Sequence, residues 1–300
     1  MPFTILKNFT SKKIVKFYKM SEKYYPWIDP VLFKLAFFEL RWYSIAYILG
    51  FICAYIIALK YDRTKNNPPL LSGQKLDSLF NISIISVIVG GRLGYVLFYN
   101  LPYYAANPAL ILQVWQGGMS FHGAVLGLSL AFYIFARQNK LSFLALTDLL
   151  CISVGPGIMF GRIANFINGE LWGAVCQQKC IVGAVFPLSG TLQIRYATQL
   201  YESFFEGLLI FVVLVILSKK TKIFHIRGLI SSLFFILYGV FRFFIEYIRE
   251  PDEQLGRFFN ILSMGQILCL VMISVGSAVL VRQVFVGRSA PNVIPTKVGI

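Results

Sequence analysis

The sequence predicts an all-α, polytopic integral membrane protein, with about seven transmembrane helices carrying a small extracytoplasmic head. Three observations predict it. Hydrophobic residues make up 57% of the 300-residue chain and charged residues only 14%, against roughly 25% charged in a soluble domain. Mean hydropathy is +0.69. Seven stretches approach the ~20 apolar residues needed to cross the hydrocarbon core. The same composition excludes a disordered chain, a collagen-like chain and a disulfide scaffold. A net charge of +15 would raise the question of nucleic acid in a soluble protein. Here it is read as facing lipid headgroups or the cytoplasm, and no nucleic-acid partner is expected.

The seven stretches are Trp42–Leu59, Leu79–Tyr99, Met119–Ala136, Ala145–Ile167, Tyr201–Ser218, Gly228–Ile248 and Ile261–Val281. Several are weakened by charge, Gly or Pro: the fourth holds Asp148, Pro156 and Arg162, and the fifth holds Glu202 and Glu206. The chain therefore divides into a basic N-terminal extension (1–39), a transmembrane core (40–282) with an extracytoplasmic head loop at 168–199, and a cytoplasmic tail (283–300). The extension carries seven lysines. Its stretch Lys12–Met20 mixes Lys with Ile, Val, Phe and Tyr, and reads equally as an amphipathic surface helix or a mobile basic arm. It lacks the apolar run of a signal peptide.

Loop charges set the orientation. One set of loops holds 13 Lys and Arg residues, among them Lys60, Arg137, Lys140, Lys219 and Lys222; the other, leaving out the N-terminal tail with its seven opposing lysines, holds four: Lys179, Arg195, Arg249 and Arg257. The richer set belongs in the cytoplasm, which puts the C-terminus inside and, with seven spans, the N-terminus outside. A reporter fused after Lys140 or Lys222 is expected to read cytoplasmic, and one within residues 184–190 external. An external reading at Lys222 overturns the orientation.

Of five cysteines, Cys53, Cys151 and Cys269 lie in spans, where a free Cys is a small apolar residue. Cys176 and Cys180 form a C-x3-C in the head, open to a disulfide or to two free thiols. The head offers no His, and a zinc site needs four ligands, so no metal is expected.

Charges inside a membrane cost about 2.5–3.5 kcal/mol each on insertion scales. Arg92, Arg162 and Arg242 nonetheless lie in predicted spans, with Arg41 at the mouth of the first. Glu246 follows Arg242 by one turn, on the same face. Asn165 follows Arg162, and His122 opens the third span. Each has a packing-only alternative: a snorkelling arginine, a structural ion pair, a core histidine. Together with Tyr43 they fall at a similar depth in the outer half of the membrane, which favours one polar chamber. Guanidiniums there imply an anion, since Arg keeps its charge when buried and grips phosphate with two prongs. A phospholipid headgroup is the natural anion at that depth. The glycines around Gly90–Gly94, Gly117–Gly127 and Gly155–Gly161 allow close helix approach, which serves packing as readily as a lipid slot.

The run from Gly161 to Gly173, GRIANFINGELWG, resembles the signature of bacterial prolipoprotein diacylglyceryl transferase, G-R-x-[GA]-N-F-x-N-x-E-x-x-G, at all eight specified positions. Further blocks occur in family order: GGRLGYVLFYN from Gly90, WQGGMSFHG from Trp115, TQLYE from Thr198, YGVFRFFIEYIREPD from Tyr238 and SMGQIL from Ser263. The resemblance covers roughly residues 40–282. It implies a seven-span enzyme of the bacterial plasma (inner) membrane with its active site towards the outer leaflet. Such an enzyme moves the diacylglyceryl group of phosphatidylglycerol onto the lipobox cysteine thiol of a prolipoprotein and releases glycerol 1-phosphate. It implies His122 as base and Arg162 and Arg242 as phosphate-binding catalytic residues. Asn165, Tyr43, Glu170, Gly173, Tyr238 and Glu246 match further functional positions, and Arg92 is grouped with the substrate-binding residues. No cofactor is implied.

The chain departs from the family at Arg41, at Tyr196-Ala197 and at Gly123-Ala124, which bears on head-loop contacts and substrate preference more than on the reaction. An anion carrier or lipid flippase would use the same arginines, but calls for polar residues on both sides of the midplane. The inner halves here are largely apolar apart from Asp148. A structural scaffold would leave three outer arginines unexplained.

Overall fold

The computed structural model describes residues 28–35, 38–65, 69–114, 117–177, 180–191, 193–220, 226–250, 257–258 and 262–289. Each of the seven predicted segments is largely helical over its described residues. In chain order the helices are α1 (Trp42–Lys65), α2 (Gly73–Tyr99), the short α3 (Leu101–Ala106), α4 (Phe121–Gln138), α5 (Phe143–Ser153), α6 (Gly155–Ile167), α7 (Thr198–Glu202), α8 (Ile210–Lys220), α9 (Leu229–Ile245) and α10 (Met264–Ser289). A π-helical segment, Ser203–Leu209, joins α7 to α8.

Among the described residues, four stretches are long and apolar enough to cross a membrane: Trp42–Arg63, Gly73–Tyr99, Thr198–Lys220 and Met264–Phe285. The predicted fourth span is broken: α5 and α6 meet at 45° and pass the same test together. Gly155-Pro156 opens α6, a placement that suits Pro because its missing N–H would be unsatisfied in a first turn anyway. Gly123–Gln138 and α9 are apolar but shorter.

Three two-stranded antiparallel hairpins were not expected. They are β1–β2 (Val31–Leu35 with Phe38–Arg41), β3–β4 (Gly183–Val185 with Ile194–Tyr196) and β5–β6 (Arg257–Phe258 with Leu262–Ser263). In the first, at the end of the basic extension, Lys34 stands opposite Glu39 at 2.7 Å. The Lys12–Met20 stretch lies outside the described residues. At the other end α10 runs on to Ser289, past the expected start of the tail at 283.

The chain forms two compact units, Tyr55–Leu150, and Met1–Ala54 with Cys151–Ile300. In the Tyr55–Leu150 unit, α2 and α4 touch backbone to backbone. A Cβ on Gly94 would stand 2.6 Å from Gly123 Cα, and one on Gly127 2.7 Å from Ser86 O. This small-xxx-small contact replaces the hydrophobic drive that lipid does not supply. Leu76, Leu79, Phe132, Phe135, Leu146 and Leu149 are among the side chains of its core. Buried Asp62 accepts from the Leu70 and Leu71 amides, each at 2.9 Å.

In the other unit α6 packs on the π-helical segment, where a Cβ on Gly207 would lie 2.7 Å from Met159 N. α9 runs along α10. The head has its own small core of Ala184, Phe186 and Ala197, backed by Phe166 and Trp172. Cys176 and Cys180 are disulfide-bonded, with Cα atoms 6.2 Å apart.

Candidate active site

The signature run folds largely onto itself. Arg162 and Asn165 project from α6, and the chain then turns through Gly169, in the left-handed region at φ +65°. The Glu170 carboxylate accepts from the Asn165 amide at 2.8 Å and from Asn168 at 3.2 Å. Gln199 donates to the Glu170 carbonyl and Thr198 to that of Leu171. Gly173 has no room for a side chain, since a Cβ would lie 2.7 Å from Thr198 Cγ2 and 2.9 Å from Tyr196 Cβ. Its backbone bridges Arg249, and the Ala174 amide donates to the Ile248 carbonyl at 2.9 Å. The end of the signature thereby holds the strand-like exit of α9, where Arg249 sits.

Arg162 and Arg242 meet on a carboxylate. Glu202, at the end of α7 and with a fully buried side chain, faces Arg162 Nε through Oε2 at 3.1 Å. Its Oε1 accepts from Arg242 Nη1 and, at 3.1 Å, from Arg249 Nη1. Glu206, also fully buried in the π-helical segment, lies 3.5 Å from Arg242 Nη1 and 3.9 Å from Arg162 Nη2. Glu246 Oε2 faces Arg242 Nη2 at 3.4 Å. Tyr238, on α9, has Glu206, Arg242, Arg162 and Glu202 as its charged neighbours. The side chains of Glu202 and Glu206 are fully buried, while those of Arg162, Arg242 and Arg249 remain 22%, 15% and 15% exposed. Three cations oppose three carboxylates, which satisfies the requirement that buried charges be paired, and the guanidiniums are the more exposed of these groups. A π-helical segment at such a place is common at functional sites.

The sequence reading missed Glu202, Glu206 and Arg249 as site residues. It took both glutamates as blemishes in the fifth span. Two carboxylates four residues apart in an apolar helix were the available sign, equivalent to the Arg242–Glu246 pair that was noticed.

Three predicted residues remain. Tyr43, in the first turn of α1, shares a hydroxyl contact of 3.3 Å with Tyr47; Tyr47 in turn lies in the electrostatic reach of Arg162 and Glu170. His122 stands in the first turn of α4, in the Tyr55–Leu150 unit, and its side chain lies outside the described residues. Arg92 belongs to the same unit and is only 3% exposed. Its Nε donates to the Ile111 carbonyl (2.8 Å), Nη1 to those of Gly117 (2.5 Å) and Gly118, and Nη2 to those of Leu110 (2.7 Å) and Gln113. Tyr104 covers its face at 5.0 Å. Every guanidinium nitrogen of Arg92 is thus engaged by main-chain carbonyls of Leu110, Ile111, Gln113, Gly117 and Gly118.

Fold and site together define an integral membrane protein built around a buried guanidinium centre. The profile of the family prolipoprotein diacylglyceryl transferase matches residues 30–282, and the chain belongs to that family. It is 48% identical over 250 residues to the phosphatidylglycerol–prolipoprotein diacylglyceryl transferase of Ehrlichia canis (strain Jake), covering 83% of this chain and 94% of that protein. The proteins of the same name from Rickettsia bellii (strain OSU 85-389) and Nitratidesulfovibrio vulgaris (strain DP4) are each 42% identical, over 86% and 84% of this chain and 96% and 93% of theirs.

Proposed function

We propose that this enzyme transfers the diacylglyceryl group of phosphatidylglycerol to the lipobox cysteine thiol of a prolipoprotein, the first step of lipoprotein maturation. The site opens towards the outer leaflet of the bacterial plasma membrane. One observation carries the reading: in a chain of this family, three guanidiniums converge on Glu202 and each stays partly exposed.

The reaction makes a C–S bond and breaks the C–O bond between the diacylglyceryl group and the phosphate. A thiol with a pKa near 8.5 attacks better as thiolate. His122, with an ordinary pKa near 6.5, takes that proton. The departing glycerol 1-phosphate gains charge on the oxygen that leaves. Arg162 and Arg242 hold the phosphate and stabilise that charge, and they need no reorganisation because Glu202 already fixes them. Tyr43 and Tyr238 line the approach; Asn165, Glu170 and Gly173 shape the signature loop beside it.

The test is transfer of labelled diacylglycerol from phosphatidylglycerol to a lipobox peptide in detergent, scored as thioether. Wild-type enzyme is expected to form the product. His122→Gln is expected to lose about 10²–10⁴-fold in turnover, the span typical of a general base, while still binding phosphatidylglycerol. Lipid uptake without thioether would indicate a carrier and overturn the reading. A near-normal His122→Gln enzyme would move proton removal to another group.

A further inference from the structure

Arg242 needs its second edge fixed, and the residue that faces that edge, Glu246, is itself held from another helix. The holder is the first turn of α10. There Ser263-Met264-Gly265-Gln266 forms a capping box: the Gln266 amide donates to Ser263 Oγ at 3.1 Å, and the Ser263 amide donates to Gln266 Oε1 at 3.0 Å. With a lone pair of Ser263 Oγ turned to that amide, its proton points away from the helix, and it is donated to Glu246 Oε1 at 3.0 Å. The carboxylate thus sits against a helix N-terminus, where the backbone dipole favours negative charge.

Gly265 completes the seat. It has no left-handed φ to require a glycine; the requirement is space. A Cβ there would stand 2.5 Å from Glu246 Oε1, 2.8 Å from its Cδ and 3.1 Å from Oε2. The carboxylate occupies the volume that any side chain at 265 would take. Its other oxygen, Oε2, is buried and turned to Arg242 Nη2 at 3.4 Å.

We propose that Ser263, Gly265 and Gln266 are positioning residues for the transfer reaction, acting through Glu246 to set the orientation of the Arg242 guanidinium. The capping box aims one hydroxyl, the missing side chain leaves the space, and Glu246 passes both constraints from α10 to α9. This inference rests on Arg242 gripping the leaving phosphate.

Gly265→Ala is the probe. The three atoms nearest the added methyl all belong to the far end of a flexible side chain, so the protein folds and the carboxylate moves. Expected are a melting temperature in detergent close to wild type and a loss of transfer of at least tenfold, in kcat with KM little changed. Shortening the acid in Gly265→Ala/Glu246→Asp withdraws the carboxylate from the methyl, and much of the lost rate returns. Ser263→Thr, which keeps cap and hydroxyl, retains activity. A fully active Gly265→Ala enzyme overturns the proposal, and so does a loss that Glu246→Asp does not relieve, since that pattern belongs to helix packing. Arg242→Lys separates the two ideas. If Arg242→Lys is active, the phosphate grip fails; if it is inactive while Gly265→Ala is active, only the seat fails.

Discussion

Arg242→Lys is expected to insert stably and to lose diacylglyceryl transfer by about 10²–10³-fold, the size seen when one stabilising donor is removed from a developing charge. Lysine keeps the charge and loses the planar fork. In the structure one arm of that fork, Nη1, serves Glu202 and Glu206, while the other, Nη2, faces Glu246. A single ammonium cannot hold both sides and still present an edge to phosphate. The paired change Arg242→Gln/Glu246→Gln sharpens the test. Were Arg242 present only to balance Glu246, removing both would restore function, because neither charge is left buried alone. The contacts to Glu202 argue otherwise, and the double variant is expected to stay inactive. Membrane-fraction yield, melting temperature and labelled transfer check the three parts. Recovery in the double variant would reduce Arg242 to packing and leave Arg162 and Arg249 as the phosphate ligands.

Glu202→Gln is expected to destabilise the protein itself, by about 3–5 kcal/mol, the cost of leaving buried charge without its partner. Glutamine matches glutamate in size, so no cavity is made and the effect isolates the charge. Glu202 has no exposed surface, and its two oxygens face Arg162, Arg242 and Arg249. Without it, three guanidiniums share Glu206 and Glu246. The measurement is thermal unfolding in detergent, with transfer activity lost in parallel. Adding Arg249→Gln restores the balance of charge and is expected to return part of the stability. A Glu202→Gln protein that melts like the parent would show that Glu202 does not organise the centre.

The helices were legible because lipid imposes a simple rule on composition, and all seven apolar stretches are largely helical over their described residues. The hairpins were not, because strands of two to five residues are too short for alternation to declare itself. The break between α5 and α6 was half visible: Pro156 marked the place, while the angle depends on what packs there. In the site, Arg162, Arg242 and Glu246 stood out as charges in apolar segments. Glu202 and Glu206 carried the same sign, but their partners lie on other helices, and chain spacing says nothing about tertiary pairing. Arg92 shows the converse limit. An arginine whose donors all go to carbonyls 18 to 26 residues further on reads along the chain like one that faces an anion.

The placement of the charges also bears on how the protein enters the bilayer. Glu202 and Glu206 ride on the stretch Thr198–Lys220, and Arg242 and Glu246 on and just past α9, the next helix to be synthesised. Inserted singly, each helix would bring uncompensated charge into hydrocarbon, at about 2.5–3.5 kcal/mol per group. Inserted as a hairpin, the two bring Arg242 onto Glu202 and Glu206 at once, and only Arg162, already waiting on α6, remains to dock. The chain order thus favours delivery of these two helices as one partly neutralised pair, with the charge balance of the centre completed when Arg162 docks.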